Sequence, residues 1–455
     1  MDYILARSRE EIKSVGGLCL VGRMLERIGF SDAFASSRTA DILKTEIALL
    51  CQGRADFNDV ELFRGDGYLR ESLGLKRVPS EPTLRQGLDG CDGAVRDAIR
   101  LANLAALGQV TFTPERTRHG SYIPVDIDVS PFDNSNSKKE GVSWTYKKVD
   151  GYAPIFAYIG AEGYLLDCEL RPGSQHSQKQ APEFLCRVIA SLRKLGTLTD
   201  SLVRMDSAHD AAENLRLLSD SGCKFLVKRN LRQESRPSWI ALAKAIGEMQ
   251  EPRKGKRVWR GVVSHIQPPR AQDDGDISDL PIFAVFEVVE RTIDAKGQPL
   301  LFPEYMVDTW WTNLPDAPEE VIELYHAHGT SEQFHSELKT DMGLERLPSG
   351  KFATNATILL LAGVAFNLLR TIGQEAVHHP ETLPITLKVK RRRLAGVMRD
   401  LIYIACKRVR HAGRVLLKFG RDCPWFNSFR IVYESIAPRP GAATPSSAAT
   451  PSSAV

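Results

Sequence analysis

Apolar residues near the start of the chain recur at helical spacing, at Leu18, Leu20, Val21, Leu25 and Ile28 and again at Ile42, Leu43, Ile47, Leu49 and Leu50. That period predicts a helical region over residues 1–115. At residue 122 the period changes to two. Residues 122–129 alternate, with Ile123, Val125, Ile127 and Val129 on one face and Asp126 and Asp128 on the other, as in a strand. Two further apolar runs, 153–159 and 164–170, flank Gly160-Ala-Glu-Gly163 and are expected to pair as a hairpin. An amphipathic helix over 182–195, stopped by Gly196, leads to a short strand over 201–205 that ends at Asp206. A helix stopped by Gly222 and a strand over 224–228 complete the segment 120–230.

Residues 231–316 interrupt this order with strand-like runs of their own, at 256–264, 280–290 and 305–312. They predict a β-rich insertion, and the polar run 271–277 inside it reads as a solvated loop. Helix returns in the segment 317–372. The stretch 325–339, Tyr-His-Ala-His-Gly-Thr-Ser-Glu-Gln-Phe-His-Ser-Glu-Leu-Lys, is expected to lie in one long helix. At about 100° per residue, Tyr325, His328, Glu332 and Lys339 would fall within about 60° of one another, with Glu337 pointing away. The apolar run 358–369 is too short to span a bilayer and reads as a core helix. Residues 373–435 are expected to be helical and basic, with an apolar stripe of Leu394, Val397, Met398, Leu401 and Ala405. Residues 436–455 contain Ala-Thr-Pro-Ser-Ser-Ala in tandem and are expected to be disordered.

Composition narrows the class. At 455 residues the chain can bury more than one core. Its N-terminus has no signal-peptide layout and no run is long enough to cross a bilayer, so a cytoplasmic, nucleoid-associated protein with no membrane partner is expected. The eight cysteines form no Cys-x-x-Cys pair, which points to reduced, buried thiols rather than structural zinc. The net charge of +4 is unevenly spread: residues 351–430 hold 15 Lys/Arg against 4 Asp/Glu. That basic excess, which includes Arg391, Arg392 and Arg393, could meet a polyanion or be a solvated face.

The strand and helix order is that of an α/β, ribonuclease-H-like core. In that fold, acids on the first and fourth strands and on the last helix meet at one edge of the sheet, and Asp128, Asp206 and Glu332 occupy those places. Asp126 shares the face of Asp128, and only the following Ser130 favours Asp128. Three carboxylates at close range raise one another's pKa unless a divalent cation neutralises them. Mg²⁺ meets the charge and also suits phosphodiester chemistry, in which two ions activate the attacking oxygen and stabilise the leaving one. No small-molecule cofactor is implied. In the N-terminal region Ser80 suits a helix cap and Pro82 a first turn, leaving Arg85 and Gln86 projecting. This fits a groove-reading helix-turn-helix and a capped connecting helix equally well.

Taken together, these motifs resemble a DDE transposase of a bacterial insertion sequence. The superfamily signature is Tyr, two residues, Arg, three residues, Glu, six residues, Lys; here it gives Tyr325, His328 in the Arg place, Glu332 and Lys339. Asp128-Val-Ser130 is similar to the first acidic motif, and Asp206, Asp210 and Phe225-Leu-Val-Lys228 to the second. Pro-Ser-Glu-Pro-Thr-Leu near the N-terminus, and Arg391 to Leu394 with Pro424 to Phe426, resemble the thirteen-eighty family of insertion sequences. The resemblance implies cut-and-paste transposition with two Mg²⁺ ions, for which Mn²⁺ may substitute, held by Asp128, Asp206 and Glu332. It implies transposon-end inverted-repeat DNA and target DNA as partners, and a homodimer in the synaptic complex. Tyr325, His328 and Lys339 would contact DNA, although His cannot make the bidentate, permanently charged contact of Arg. Where relatives carry a base-stacking Trp in the insertion, this chain has Asp308, with Trp310 and Trp311 close by. A nuclease without strand transfer and a silent DNA-binding descendant are the competing classes.

Overall fold

The computed structural model describes residues 3–7, 10–232, 234–264, 277, 279–294 and 296–436. Most of the polar run at 271–277 and the tandem-repeat tail from 437 onward fall outside the described residues. The architecture is mixed α/β around one large mixed sheet. Five of its strands are β1 (Ser121–Val129), β2 (Ile155–Ile159), β3 (Tyr164–Glu169), β4 (Ser201–Met205) and β5 (Lys224–Lys228). Their spatial order is β3-β2-β1-β4-β5. β2 runs antiparallel to both its neighbours, whereas β1, β4 and β5 are mutually parallel. The parallel pairs are joined through the helices Ala181–Leu195 and Ala212–Ser221, as parallel strands require.

The insertion extends the same sheet. After the helix Arg236–Ile246 come β6 (Glu248–Arg253), β7 (Lys256–Ser264), β8 (Phe283–Ile293) and β9 (Pro299–Thr312), and β9 pairs antiparallel with β5. Trp310 and Trp311 lie on β9 and both are buried, so neither ring is free to stack a base. Asp308 is ion-paired with Lys228 at 2.8 Å.

One face of the sheet is covered by Ala181–Leu195 and Ala212–Ser221, whose Phe184, Leu185, Val188, Leu215 and Leu218 meet Val125, Ile127 and Val203. The other face meets the helix Phe352–His378, which carries the predicted core run. That helix is apolar and long enough to cross a bilayer by length and composition, yet it is buried among the sheet and the N-terminal helices. A Cβ on its Gly363 would stand 3.0 Å from Leu165, so the small residue lets helix and sheet close together.

Two regions differ from the sequence expectation. The stretch around Glu332 is helical throughout but not one α-helix: α-helix over Pro318–His326, 3₁₀ over Ala327–Thr330, α over Ser331–Ser336 and π over Glu337–Asp341. The change of winding leaves His328, Glu332 and Lys339 on one cleft, with Tyr325 outside its lining. The C-terminal stripe winds only as far as Ile402, through an α turn Leu394–Val397 and a π turn Met398–Ile402. Lys407 and Arg408 then lie on a strand, Cys406–His411, paired with Arg414–Phe419 and with Ile12–Lys13. The two-residue loop Ala412-Gly413 has φ of 49° and 73°, the paired positive values that a tight hairpin needs.

The N-terminal region is helical as expected, and Ser37–Leu50 buries Glu46 with one carboxylate oxygen lacking a hydrogen-bond partner. Burial, with a contribution from Asp59, pushes the Glu46 pKa up to about 8. The folded chain therefore holds a proton there that the unfolded chain releases above the ordinary carboxylate range. Stability from this group is complete at low pH and is lost as pH rises towards 8. Urea unfolding at pH 5 and pH 8.5 should show Glu46→Gln losing roughly 2–4 kcal/mol less than wild type over that interval. Equal losses would show that Glu46 is not buried as a neutral acid.

Candidate active site

The register of β1 against β4 sets Asp126 opposite Arg204 and Ile127 opposite Met205. The next positions, Asp128 and Asp206, therefore leave neighbouring strands at the same sheet edge. Beneath them lies a buried ion pair. Arg204 donates through Nε to Asp126 Oδ1 at 2.6 Å and through Nη2 to Oδ2 at 2.8 Å, and its Nη1 reaches Glu115 at 2.8 Å and the Leu324 carbonyl at 2.6 Å. His328 Nδ1 lies 2.8 Å from Asp126 Oδ1. Burial opposes the charge on Asp126, but Arg204 and His328 outweigh it and hold the carboxyl below its usual range. Burial likewise opposes the charge on His328, and Asp126 reverses the balance upward. Asp126 and the Nδ1 atom of His328 are thus committed to each other and to Arg204.

Asp128, on the same strand face but one step nearer the sheet edge, opens into a cleft of about 570 Å³ lined also by Asp206, Glu332, Ser130, Tyr146, Lys147, His328, His335 and Lys339. Asp128 Oδ2 lies 3.1 Å from His335 Nε2, and His335 Nδ1 lies 3.1 Å from the Tyr158 hydroxyl. Burial pushes the Asp128 carboxyl up, but His335 and then His328 bring it below its usual value. Burial pulls the His335 imidazole down, towards the neutral form. A neutral ring donates from Nε2 to Asp128 while Nδ1 accepts from Tyr158. Asp206 caps the 3₁₀ turn Ser207–His209, accepting from the Ala208 amide at 3.1 Å, with His209 Nδ1 at 2.8 Å.

Glu332 is carried by the helical stretch and is exposed to the cleft. Its position is set by Phe334, which packs on Tyr158 at 5.0 Å and sits where a Cβ on Gly163 would stand, 2.1 Å away. Glu337, expected to point away from the shared face, is buried against Arg370. Tyr146 lies in the field of all three acids: burial pushes its hydroxyl well above the ordinary range, and the charges of Asp128, Asp206 and Glu332 add to the shift.

Lys339 also lines the cleft, donating to the Pro131 carbonyl at 2.6 Å. Burial lowers its pKa and nearby Lys147 adds to that, so two cations face one another there. Tyr325 packs beside the cleft, 5.6 Å from Trp310 and 5.7 Å from His328 between ring centres. Arg391 bonds Gln333 at 2.7 Å and lies over the Phe334 ring, and Arg393 bonds Asp341 at 2.9 Å. Arg392 is buried against Asp400 and Trp425. Arg391 and Arg393 therefore clasp the Glu332-bearing stretch, and with Arg392 turned inward the run is not a continuous solvated face. Arg85 lies on the helix Glu81–Asp89, exposed and paired with Glu81, away from the cleft. Asp210 accepts from the Trp311 indole at 3.1 Å and the Asn230 amide at 2.8 Å, joining the core to the insertion.

Among the described residues no three His, Cys, Asp or Glu side chains are drawn closely enough together to enclose a metal ion. The donor type nevertheless fits a hard cation, because three carboxylates share one cleft and Asp128 is held in its charged form. Arg204, His335, Tyr146 and Lys147 are site residues that the sequence reading did not single out. Arg204 had a signal: a lone charge on an apolar strand two residues before Asp206, the same offset as Asp126 from Asp128.

A family model described as transposase DDE domain group 1 matches residues 6–440. No curated protein matches the sequence. Among solved structures, the piggyBac transposase in its synaptic complex with hairpin DNA is similar at a TM-score of 0.41 and 10% identity, over 87% of this chain and 82% of that chain. A likeness at that level bears on neither mechanism nor DNA geometry.

The two strand acids should separate by stability. Asp126→Asn leaves Arg204 buried without its full partner and should cost about 3–5 kcal/mol in chemical unfolding. Asp128→Asn, at the cleft wall, should change stability by about 1 kcal/mol or less. The reverse order would make Asp126 the cleft acid.

Proposed function

The chain belongs to the transposases with a DDE domain, and from that premise we propose that it cuts transposon ends and joins them to target DNA by a cut-and-paste route. The observation that carries this reading is the convergence of Asp128, Asp206 and Glu332, from three separate elements, on one cleft that also holds Lys147 and Lys339. The strand order β3-β2-β1-β4-β5, with β2 antiparallel, supports a ribonuclease-H-like core interrupted by the insertion over 231–316. On this reading residues 1–115 and 373–435 flank that core and contact DNA.

Asp128, Asp206 and Glu332 would hold divalent cations, Mg²⁺ with Mn²⁺ as a substitute. Bound there, a pair of ions supplies activation of the attacking oxygen and charge stabilisation of the leaving one. The protein's own groups hold and orient. His335, backed by Tyr158, keeps the Asp128 carboxylate ionised and aimed into the cleft. Lys147 and Lys339 present ammonium groups to the phosphates beside the scissile bond, and Tyr325 supports that wall. His328 lines the same cleft and steadies Asp126 through Nδ1, which leaves only its Nε2 edge for a DNA contact.

In the first step water bonds to phosphorus and the P–O3′ bond at the element end breaks, leaving a 3′-hydroxyl. In the second, that hydroxyl oxygen bonds to a target phosphorus as the target's own P–O3′ bond breaks. Two ends must be handled together, which favours a homodimer on DNA. The sequence features support a cytoplasmic, nucleoid-associated location.

The test is incubation with Mg²⁺ and DNA carrying the inverted repeats that flank the gene. Joined products are expected. Cleavage without joining would instead indicate a nuclease, and binding alone a silent descendant. Asp128→Ala, Asp206→Ala and Glu332→Ala should each lower product formation by at least about a thousandfold, of the order of 4 kcal/mol, while sparing binding of the repeat. Retained cleavage in any one removes that residue from the site.

A further inference from the structure

The short hairpin between β1 and β2 carries two exposed aromatic rings, one of which, Tyr146, lines the cleft. Ser143–Trp144 pairs antiparallel with Asp150–Tyr152, Ser143 opposite Gly151 and Trp144 opposite Asp150. The turn between them is tightly held. Thr145 is buried and bonds the Val149 carbonyl through both its amide and its hydroxyl at 2.9 Å, and the Lys148 amide donates back to the Thr145 carbonyl at 2.9 Å. Lys148 takes a positive φ of 61° to close the turn. With Thr145 turned inward, its neighbours are turned out: Trp144 is 60% exposed and Tyr146 is 61% exposed.

Exposure of two large rings on a rigid turn has a cost in water and calls for a partner. Tyr146 is anchored by its hydroxyl, which donates to the carbonyl of Val129, the residue after Asp128, at 2.9 Å. That bond occupies the polar end and holds the ring at the cleft wall. Among the described residues neither ring packs on another aromatic ring. Lys147 and Lys148 follow directly, and Lys147 lines the cleft with Lys339. Aromatic faces interleaved with cations suit an unpaired nucleotide, the ring taking the base and the ammonium the phosphate.

We propose that Tyr146, assisted by Trp144, is a stacking platform for an unpaired DNA base next to the scissile phosphate, with Lys147 on the adjoining phosphate. This rests on the reading of the cleft as a DNA-cutting site. It moves base stacking away from the insertion, whose Trp310 and Trp311 are buried.

Two measurements test it. Single 5-iodouracil substitutions are placed beside the cleavage position of a flanking-repeat duplex and, separately, along a thymidine-rich single strand, and irradiated with the full-length protein. Crosslinks should map by mass spectrometry to Tyr146 or Trp144; crosslinks that map only elsewhere overturn the proposal. In the cleavage assay, Tyr146→Ala should cut about 5- to 150-fold more slowly, with binding of the intact duplex unchanged, whereas Tyr146→Phe, which keeps the ring but loses its anchor, should lose clearly less than Tyr146→Ala. If Tyr146→Phe falls as far as Tyr146→Ala, the hydroxyl bond to Val129 is what matters and the stacking role is wrong. Should wild type fail to cut the repeat, the DNA-cutting reading fails, and the single-strand crosslink alone still decides whether the rings stack bases.

Discussion

The ion pair between Arg204 and Asp126 is the constraint on which the cleft depends. It joins β1 to β4, and through Glu115, the Leu324 carbonyl and His328 it ties both strands to the start of the sheet and to the helical stretch. Burying these charges is costly, and each is tolerated because the other, with its hydrogen-bonding neighbours, leaves none of the pair's buried polar atoms without a partner. The acids that face the cleft lie a fixed distance beyond this network: Asp128 two residues after Asp126, Asp206 two after Arg204, and Glu332 four after His328. A structural layer of charge thus sets the register of a chemical layer above it.

The two layers have opposite electrostatic characters. Below, Asp126 is neutralised by Arg204 and His328. Above, Asp128 has hydrogen bonds from the Val129 amide and from an imidazole that burial pulls towards the neutral form, Asp206 has a backbone amide and His209, and Glu332 faces the open cleft. Negative charge is left uncompensated where it can be used. The tyrosines around the cleft register this: Tyr325 and Tyr146 both have their ionisation pushed up, first by burial and then by these carboxylates.

The core strands were legible because alternation and punctuation agree there: Gly160, Gly163, Gly196 and Gly222 all take positive φ where the chain turns. The choice between Asp126 and Asp128 was not. Both lie on the polar side of one strand, and only the buried Arg204 on the neighbouring strand distinguishes them. The expected helical face holds for His328, Glu332 and Lys339, which line one cleft, but not for Tyr325, and the winding shifts from α to 3₁₀ and π along it, which periodicity alone does not announce. The C-terminal hairpin was read as helix because its turn, His-Ala-Gly-Arg, lacks an Asn or Asp to announce it, and Ala412 is held at positive φ by the paired strands.

The insertion leaves the core after Lys228 and returns at Trp310, and these residues are direct partners across β5 and β9. The Arg229 amide bonds the Thr309 carbonyl at 2.8 Å, closing the excursion at its neck. For a loop whose ends already meet, doubling its length adds only about 0.6 kcal/mol of closure entropy. The neck is therefore a place where tens of residues could be added or removed while the carboxylates stay where they are, which uncouples the outer reach of the protein from the geometry of the cleft.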